Sequence, residues 1–337
     1  MAVLGNTYLD LIDLYRRQDP DGTIADIIEM QAQLNPILDD AVAVECNSGT
    51  KHSTTIRTGL PTSTWGQLYE GIAQSKSTTQ QVEDTTGFNE ALSQVDTRLL
   101  KLAKNPGAVR LSEATPFLES MNQTISSAMF YEDTATNPKA FKGLGARFNS
   151  TTGQSGKQIV LAGGSGSDNT SIWFVTWGDN QTHLLYPEGS QAGLSREDKG
   201  EQRVTDDNSN PYYVEEELFR WHIGLTVRDW RYVSRVANID VSDLNAGSVD
   251  IYKFMRQAYY ANRGRRVKQG KMAIYCNSDV MQALDASGTG SVTNSSGHTV
   301  DKLQTRPMEI QGKEVLTYRG IPIREVDAIL NTEAIVA

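Results

Sequence analysis

The chain has 337 residues, 38% hydrophobic and 22% charged, with 41 acidic against 32 basic side chains and a net charge of −9. That length suits one elaborated domain or two modest ones, and the acidic balance speaks against a dedicated reader of nucleic acid. Two distant cysteines without a CxxC partner and only four histidines exclude a zinc site with recognisable spacing.

Residues 1–22 lack the basic-then-apolar layout of a signal peptide, and no apolar run approaches the ~20 residues of a bilayer span. A soluble product made in a cytoplasm is expected. Residues 7–35 read as two short helices broken at Asp19-Pro20-Asp21-Gly22, the second opening at Thr23 with Asp26 in capping-box spacing, and Pro36 ends the regularity.

From 47 to 82 the composition turns to Ser, Thr, Gly and Lys, with isolated Ile56, Leu60, Trp65, Leu68, Tyr69 and Ile72. Such a stretch cannot bury a core of its own. Its Thr-rich segments favour extended chain, so it predicts a long two-stranded arm whose apolar residues need a surface elsewhere.

Residues 112–132 predict a helix, with Thr115 as N-cap and Pro116 at the first helical position. Phe117, Leu118, Met121, Ile125, Ala128 and Met129 share one face, with Glu119, Asn122 and Ser126 outside. Residues 153–169 read as loop. Residues 172–177 and 182–186 read as a buried hairpin around Gly-Asp-Asn-Gln, and 188–211 as a polar surface excursion.

Residues 219–227 predict a strand: Phe219, Trp221, Ile223, Leu225 and Val227 alternate with polar or small neighbours. A shift of phase at Trp230 and Tyr232 predicts a bulge or bend before Asp240. Ser248 is expected to cap a helix with Ile251, Phe254, Met255, Ala258 and Tyr259 on one face. A strand at 272–276, a short helix opening at Asn277-Ser278, and a loop at 285–304 follow. Strands at 314–318 and 321–326 flank Arg319-Gly320, and Pro322 assigns the second to an edge.

No residue is assigned a catalytic, cofactor-binding or metal-binding role. Gly163-Gly164-Ser165-Gly166-Ser167-Asp168 has no following GK[ST] and leads into a strand, which leaves a loop in place of a phosphate cradle. Cys46 and Cys276 are read as reduced, the latter as a small core residue. Arg263, Arg265, Arg266, Lys268 and Lys271 sit at a helix end, where cations are favourable; contact with an acidic neighbour or DNA is the second reading. Glu215-Glu216-Glu217 reads as a solvated cluster and His222 as a packing or hydrogen-bonding residue. A carboxylate hydrolase using Glu215, Glu216, Asp229 and Asp240 stands as the rival reading, and would require a concave pocket. Five Asn-X-Ser/Thr matches are products of composition. Trp65, Tyr69, Tyr212, Tyr213, Trp230 and Tyr232 are candidates for protein interfaces.

An N-terminal arm, an extended polar hairpin, a long amphipathic helix, a long strand and an α/β remainder together resemble the Hong Kong 97 type fold of tailed-phage major capsid proteins. The similarity runs nearly end to end. It is carried by Leu4-Gly5-Asn6-Thr7, Asp19-Pro20-Asp21-Gly22, Thr55-Ile56-Arg57-Thr58-Gly59-Leu60-Pro61, Arg110-Leu111-Ser112-Glu113-Ala114, Met121-Asn122-Gln123, the segment 163–171 and the segment 221–240, closest to short-tailed phages.

The resemblance implies an α+β chain divided into an N-terminal arm (1–46), an extended E-loop arm (47–90), a P-domain with spine helix (91–150), part of an A-domain (151–204), the P-domain long strand (205–245) and the A-domain remainder (246–337). The units 271–284 and 320–323 follow the long strand, where the usual family order puts them before it, so a rearranged order is expected. The implied function is non-enzymatic: a subunit that self-assembles into the icosahedral head around phage double-stranded DNA, located in the virion and assembled in the host cytoplasm. The implied partners are the chain itself as hexamers and pentamers, scaffolding, portal and cement proteins, and packaged DNA through weak non-specific contact, without cofactor or membrane. No long scaffolding extension is recognised, so the resemblance implies either a separate scaffolding protein, which Met1 favours, or an extension removed before Met1, and neither Lys51 nor Lys76 is assigned a cross-link. A nanocompartment shell of the same fold is the nearer alternative.

Overall fold

The computed structural model describes residues 33–206, 208–266, 270–288, 291–293, 299–301, 305–310 and 313–337. The two helices expected within 7–35 and their capping box lie outside the described residues. Pro36, expected to end a regular stretch, opens a short helix α1 (Ile37–Asp40). The side chain of Asp40 then receives Tyr275 Oη at 3.1 Å and pairs with Arg324 at 3.3 Å, fixing the chain against the sheet.

After β1 (Ala43–Glu45), strands β2 (Lys51–Gly59) and β3 (Thr78–Asp96) pair antiparallel from Lys51↔Thr85 to Gly59↔Thr78 and form the expected arm. Strand β3 continues past the arm, and a short α2 (Thr97–Leu102) leads to α3 (Pro106–Tyr131). The long helix thus starts before the expected 112. Asn105 is its N-cap, accepting from Ala108 N at 3.3 Å, and Pro116 lies inside it. Two X-Pro pairs compete for the same start signal, and only packing decides between them. The helix spans about 39 Å at ~1.5 Å per residue. Ser126 is fully buried and Leu118 exposed, so the buried face is rotated from the predicted one. The stripe is shared between two neighbours: Phe117 stacks on Phe219 while Ile125 and Met129 enter the central core.

The remainder runs α4 (Leu144–Arg147), β4 (Ile159–Leu161), β5 (Asn169–Trp177), β6 (Thr182–Tyr186), β7 (Leu194–Thr205), β8 (Pro211–Val227) and β9 (Val233–Asp240). Then come α5 (Val241–Asn245), α6 (Ile251–Ala261), β10 (Lys271–Cys276), α7 (Ser278–Gly288), β11 (Ser291–Thr293), β12 (Thr299–Asp301), β13 (Thr305–Ile310), β14 (Lys313–Tyr318) and β15 (Ile321–Glu325).

Four further expectations are corrected. β5 and β6 are not a hairpin: they meet in parallel at Trp177↔Thr182 alone, while β5 pairs with β9 and β10. The polar stretch 188–211 contains β7, which follows β8 from Leu194↔Trp221 to Thr205↔Pro211; a solvent-facing edge strand carries polar residues on both faces and escapes a hydrophobic count. Asp250, not Ser248, caps α6, accepting from Lys253 N at 3.2 Å. Pro322 does not mark an edge, because β15 lies between β14 and β10. Its pairing with β14 is limited to two positions beside the turn, so the missing N–H interrupts little. Arg319 and Gly320 both adopt positive φ, 54° and 79°, as a tight hairpin turn requires. The expected bend after β8 is a 3-10 turn at Trp230–Tyr232.

Among the described residues the main sheet runs β13-β14-β15-β10-β5-β6-β8-β3-β2, with β9 on β5, β4 on β9, β7 on β8 and β1 on β6. Every residue of β5 is buried, and its alternation divides two cores. Trp173, Val175 and Trp177 face α3 and the C-terminal segment; Ile172 and Phe174 face α6 and α7. Period-two geometry on a strand covered on both faces gives this division.

Candidate functional site

The carboxylates that could have made a hydrolase are held in structural roles. Arg110 Nη1 pairs with Glu215 at 3.3 Å, and Arg110 Nη2 pairs with Asp198 at 2.9 Å and Glu217 at 3.4 Å. Glu217, 4% exposed, also receives Arg196. The cluster therefore clamps α3, β7 and β8 together instead of standing solvated, as read from sequence. Glu216 accepts from Gln94 at 2.9 Å, Asp229 binds Arg231 at 2.6 Å, and Asp240 caps α5 through Asp243 N at 3.0 Å. Glu215 and Glu216 are adjacent on β8 and so point to opposite faces, while Asp229 and Asp240 cap other elements, which removes the paired-carboxylate reading.

The other singled-out residues are likewise accounted for by packing. His222 stacks on Phe88 at 5.1 Å between ring centroids. The Gly/Ser loop is tied back by Gly164 N to Asn238 O at 2.8 Å and feeds β5, not a helix. Burial raises the Cys46 thiol above its ordinary value and holds Cys276 protonated, each without a disulfide. Among the described residues no three His, Cys, Asp or Glu side chains are placed to hold a metal ion, and no helix is long and apolar enough to cross a membrane.

What remains is an arm with an unpaired apolar tip. Trp65 and Tyr69 are fully exposed, Leu68 is 87% exposed, and Leu60 and Ile72 are close behind. Burying side chains of this size is worth about 1.5 to 3 kcal/mol each, and the tip leaves them in solvent. Residues 60–77 lie beyond the last β2–β3 pair, so local hydrogen bonding cannot explain the retained aromatics.

The arm's base is held firmly. Strand β3 pairs with β8 from Thr86↔Gly224 to Asp96↔Val214, making arm and body one continuous ladder. Asp84 accepts from Arg147 Nη2 at 2.8 Å and from Thr226 Oγ1, and the same guanidinium reaches Leu225 O at 2.9 Å. A second buried network closes the opposite side: Arg235 pairs with Glu333 at 2.8 Å, donates to Phe148 O at 2.8 Å, and stacks over Trp173. Tyr131 Oη donates to Glu333 at 2.6 Å, joining the end of α3 to the C-terminal segment. Sequence reasoning missed Asp84, Arg147, Arg235 and Glu333. Their partners are far apart in the chain, and no local spacing signals them.

The arrangement presents an exposed apolar tip on a stem paired into the body. A family model described as "Major capsid protein GP7" matches residues 19–337. The structure of bacteriophage Epsilon15 from cryo-EM and modelling contains a chain 36% identical over 100% of this chain and 99% of its own, with a TM-score of 0.76. The holo-SrpI encapsulin complex from Synechococcus elongatus PCC 7942 is 13% identical over 69% of this chain and 97% of its own, with a TM-score of 0.47. The capsid of a native GTA particle is 10% identical over 64% and 92%, with a TM-score of 0.43. No curated protein matches.

Proposed function

The chain belongs to the GP7 family of major capsid proteins, subunits of the phage head shell with the Hong Kong 97 type fold, and from that premise we propose that the 47–82 arm joins copies by lying over the neighbouring subunit. The observation that carries this reading is the exposed tip: Trp65, Leu68, Tyr69 and Ile72 stand almost wholly in solvent on a continuously paired stem. A second copy is the surface a shell subunit always has available, and many such weak contacts close a lattice cooperatively.

The rest of the reading follows the division expected from sequence. Residues 47–90 form the E-loop arm, 91–150 and 205–245 the P-domain, and 151–204 with 246–337 the A-domain, after an N-terminal arm at 1–46. The stem running from β2 and β3 into β8, with α3 braced across it, supports a P-domain that keeps each subunit stiff. Copies gather as hexamers and pentamers, with scaffolding, portal and cement proteins as partners in a short-tailed phage. The net charge of −9 limits packaged DNA to weak contact with the wall.

Replacing residues 61–76 by a two-residue turn tests the proposal. The expected result is a folded subunit with an unchanged melting profile that forms no shells in negative-stain micrographs. Normal shells from that variant would overturn the role given to the arm.

A further inference from the structure

Helix α6 runs between two surfaces of opposite charge. Arg256 lies midway along it, Arg263, Arg265 and Arg266 follow its C-terminal end, and the β14–β15 turn adds Arg319. Arg319 lies over the rings of Tyr259 and Tyr260 at 4.9 and 5.3 Å, and Arg265 lies over Tyr260 at 5.0 Å. The Arg319 hydrogen bond, with the charges of Arg319, Arg265 and Arg256, pulls the Tyr260 phenol below its usual pKa. Among the described residues none of the five arginines has a carboxylate within ion-pair distance.

Towards the other end of α6 four carboxylates lie on the N-termini of two consecutive helices. Asp250 caps α6, Asp240 caps α5, and Asp243 lies in the first turn of α5. Asp168 accepts from Ser242 N at 3.3 Å, which brings it to the same place. None of the four pairs with a lysine or arginine among the described residues. The two groups are separated by the 11-residue helix, about 16 Å at ~1.5 Å per residue.

The helix macrodipole favours acids at the start and bases at the end, but its influence fades within a turn. It accounts for the acids at the starts of α5 and α6 but not for Arg319, which arrives from a distant hairpin. Arg256, Arg265 and Arg319 converge on Tyr260 with no paired carboxylate among the described residues, so they repel one another, and an external anion relieves that repulsion. In an assembly of identical copies the same chain can supply it.

We infer that the arginine end of α6 on one copy docks against the Asp168, Asp240, Asp243 and Asp250 end of the next, joining copies head to tail within a ring. A heterologous contact of this kind closes into a ring when each copy carries both complementary halves, as this chain does. Charge complementarity then sets the register and rejects reversed pairings. The inference rests on the shell-subunit reading but not on the arm: the arm supplies apolar area, while this contact supplies orientation.

Charge exchange tests it. Arg263→Glu with Arg266→Glu reverses the basic end, and Asp243→Lys with Asn245→Lys reverses the acidic end; all four side chains are exposed. Either reversal alone is expected to reduce ring and shell yield about tenfold or more, because like charges then face each other at every junction. Both reversals in one chain should restore assembly. Thermal melts check that each variant is folded.

Normal yield from either single reversal, or folded variants whose combination fails to recover, would overturn the head-to-tail contact. If the wild-type chain assembles and the combined variant does not, the charge pairing alone has failed. If the wild-type chain forms no ring or shell, the shell-subunit reading has failed with it. Normal shells from the basic-end reversal, accompanied by lost affinity for a short double-stranded DNA, would reassign the arginines to nucleic acid.

Discussion

The imidazoles of His52 and His183 meet edge to face at 5.6 Å between centroids, where the first strand of the arm reaches the body. Both are buried. Burial, followed by the nearby His52 and Arg228 charges, pushes His183 down to about 4; burial and Arg228 also lower His52. Asp84 and Asp179 act in the opposite direction and do not prevail.

This pair predicts acid sensitivity at the arm's base. An unfolded imidazole takes up its proton near pH 6.5, while the folded His183 resists until about 4. The stabilising contribution is therefore complete above the unfolded value and declines as pH falls from there through the folded one. The melting temperature should be lower at about pH 4.5 than at pH 7, and His183→Gln should shrink that difference. An equal pH response in the variant would discard the assignment.

Removing one member of the Arg235–Glu333 pair leaves the other charged and buried. Glu333→Ala is expected to destabilise the chain by about 3 to 5 kcal/mol. Urea denaturation measures this directly, and the loss should exceed that of an exposed pair such as Lys51–Glu83, worth about 1 kcal/mol at most.

Pro116 interrupts α3, since it cannot donate to the Ser112 carbonyl one turn earlier. Pro116→Ala should stabilise the isolated subunit by about 1 to 3 kcal/mol, read as a higher denaturation midpoint. If the break shapes the spine for assembly, shells from this more stable variant will form less readily, and particle yield beside stability separates the two effects.

Gly143 follows the end of α3, and a Cβ there would come within 2.5 Å of Ala128 O. Backbone cannot retreat as a flexible side chain can. Gly143→Ala is expected to cost about 1 to 3 kcal/mol and to lower the melting temperature. Gly189→Ala is a control free of steric clash, because nothing lies within 4 Å, although its φ of +74° adds backbone strain.

Trp65→Ser with Tyr69→Ser should leave the melting temperature unchanged, because both side chains are already in solvent. Particle yield should fall. A melting temperature that drops instead would place these aromatics in the subunit's own core.

By itself the sequence determined the elements whose signals are local. The alternation at 219–227, the apolar spacing after Phe117 and the Thr-rich polar stretch at 47–82 each announce a strand, a helix and an arm, since period and composition act within a few residues. The order of resembling segments determined the family. Only the tertiary structure decided where α3 begins, that β7 is a strand, that β5 and β6 part company, and that Pro322 lies inside a sheet. Each depends on what a distant segment places alongside. The same holds for Asp84 with Arg147, Arg235 with Glu333 and the gathering of arginines around Tyr260. Long-range pairing brings these charges together, and spacing along the chain carries no trace of it.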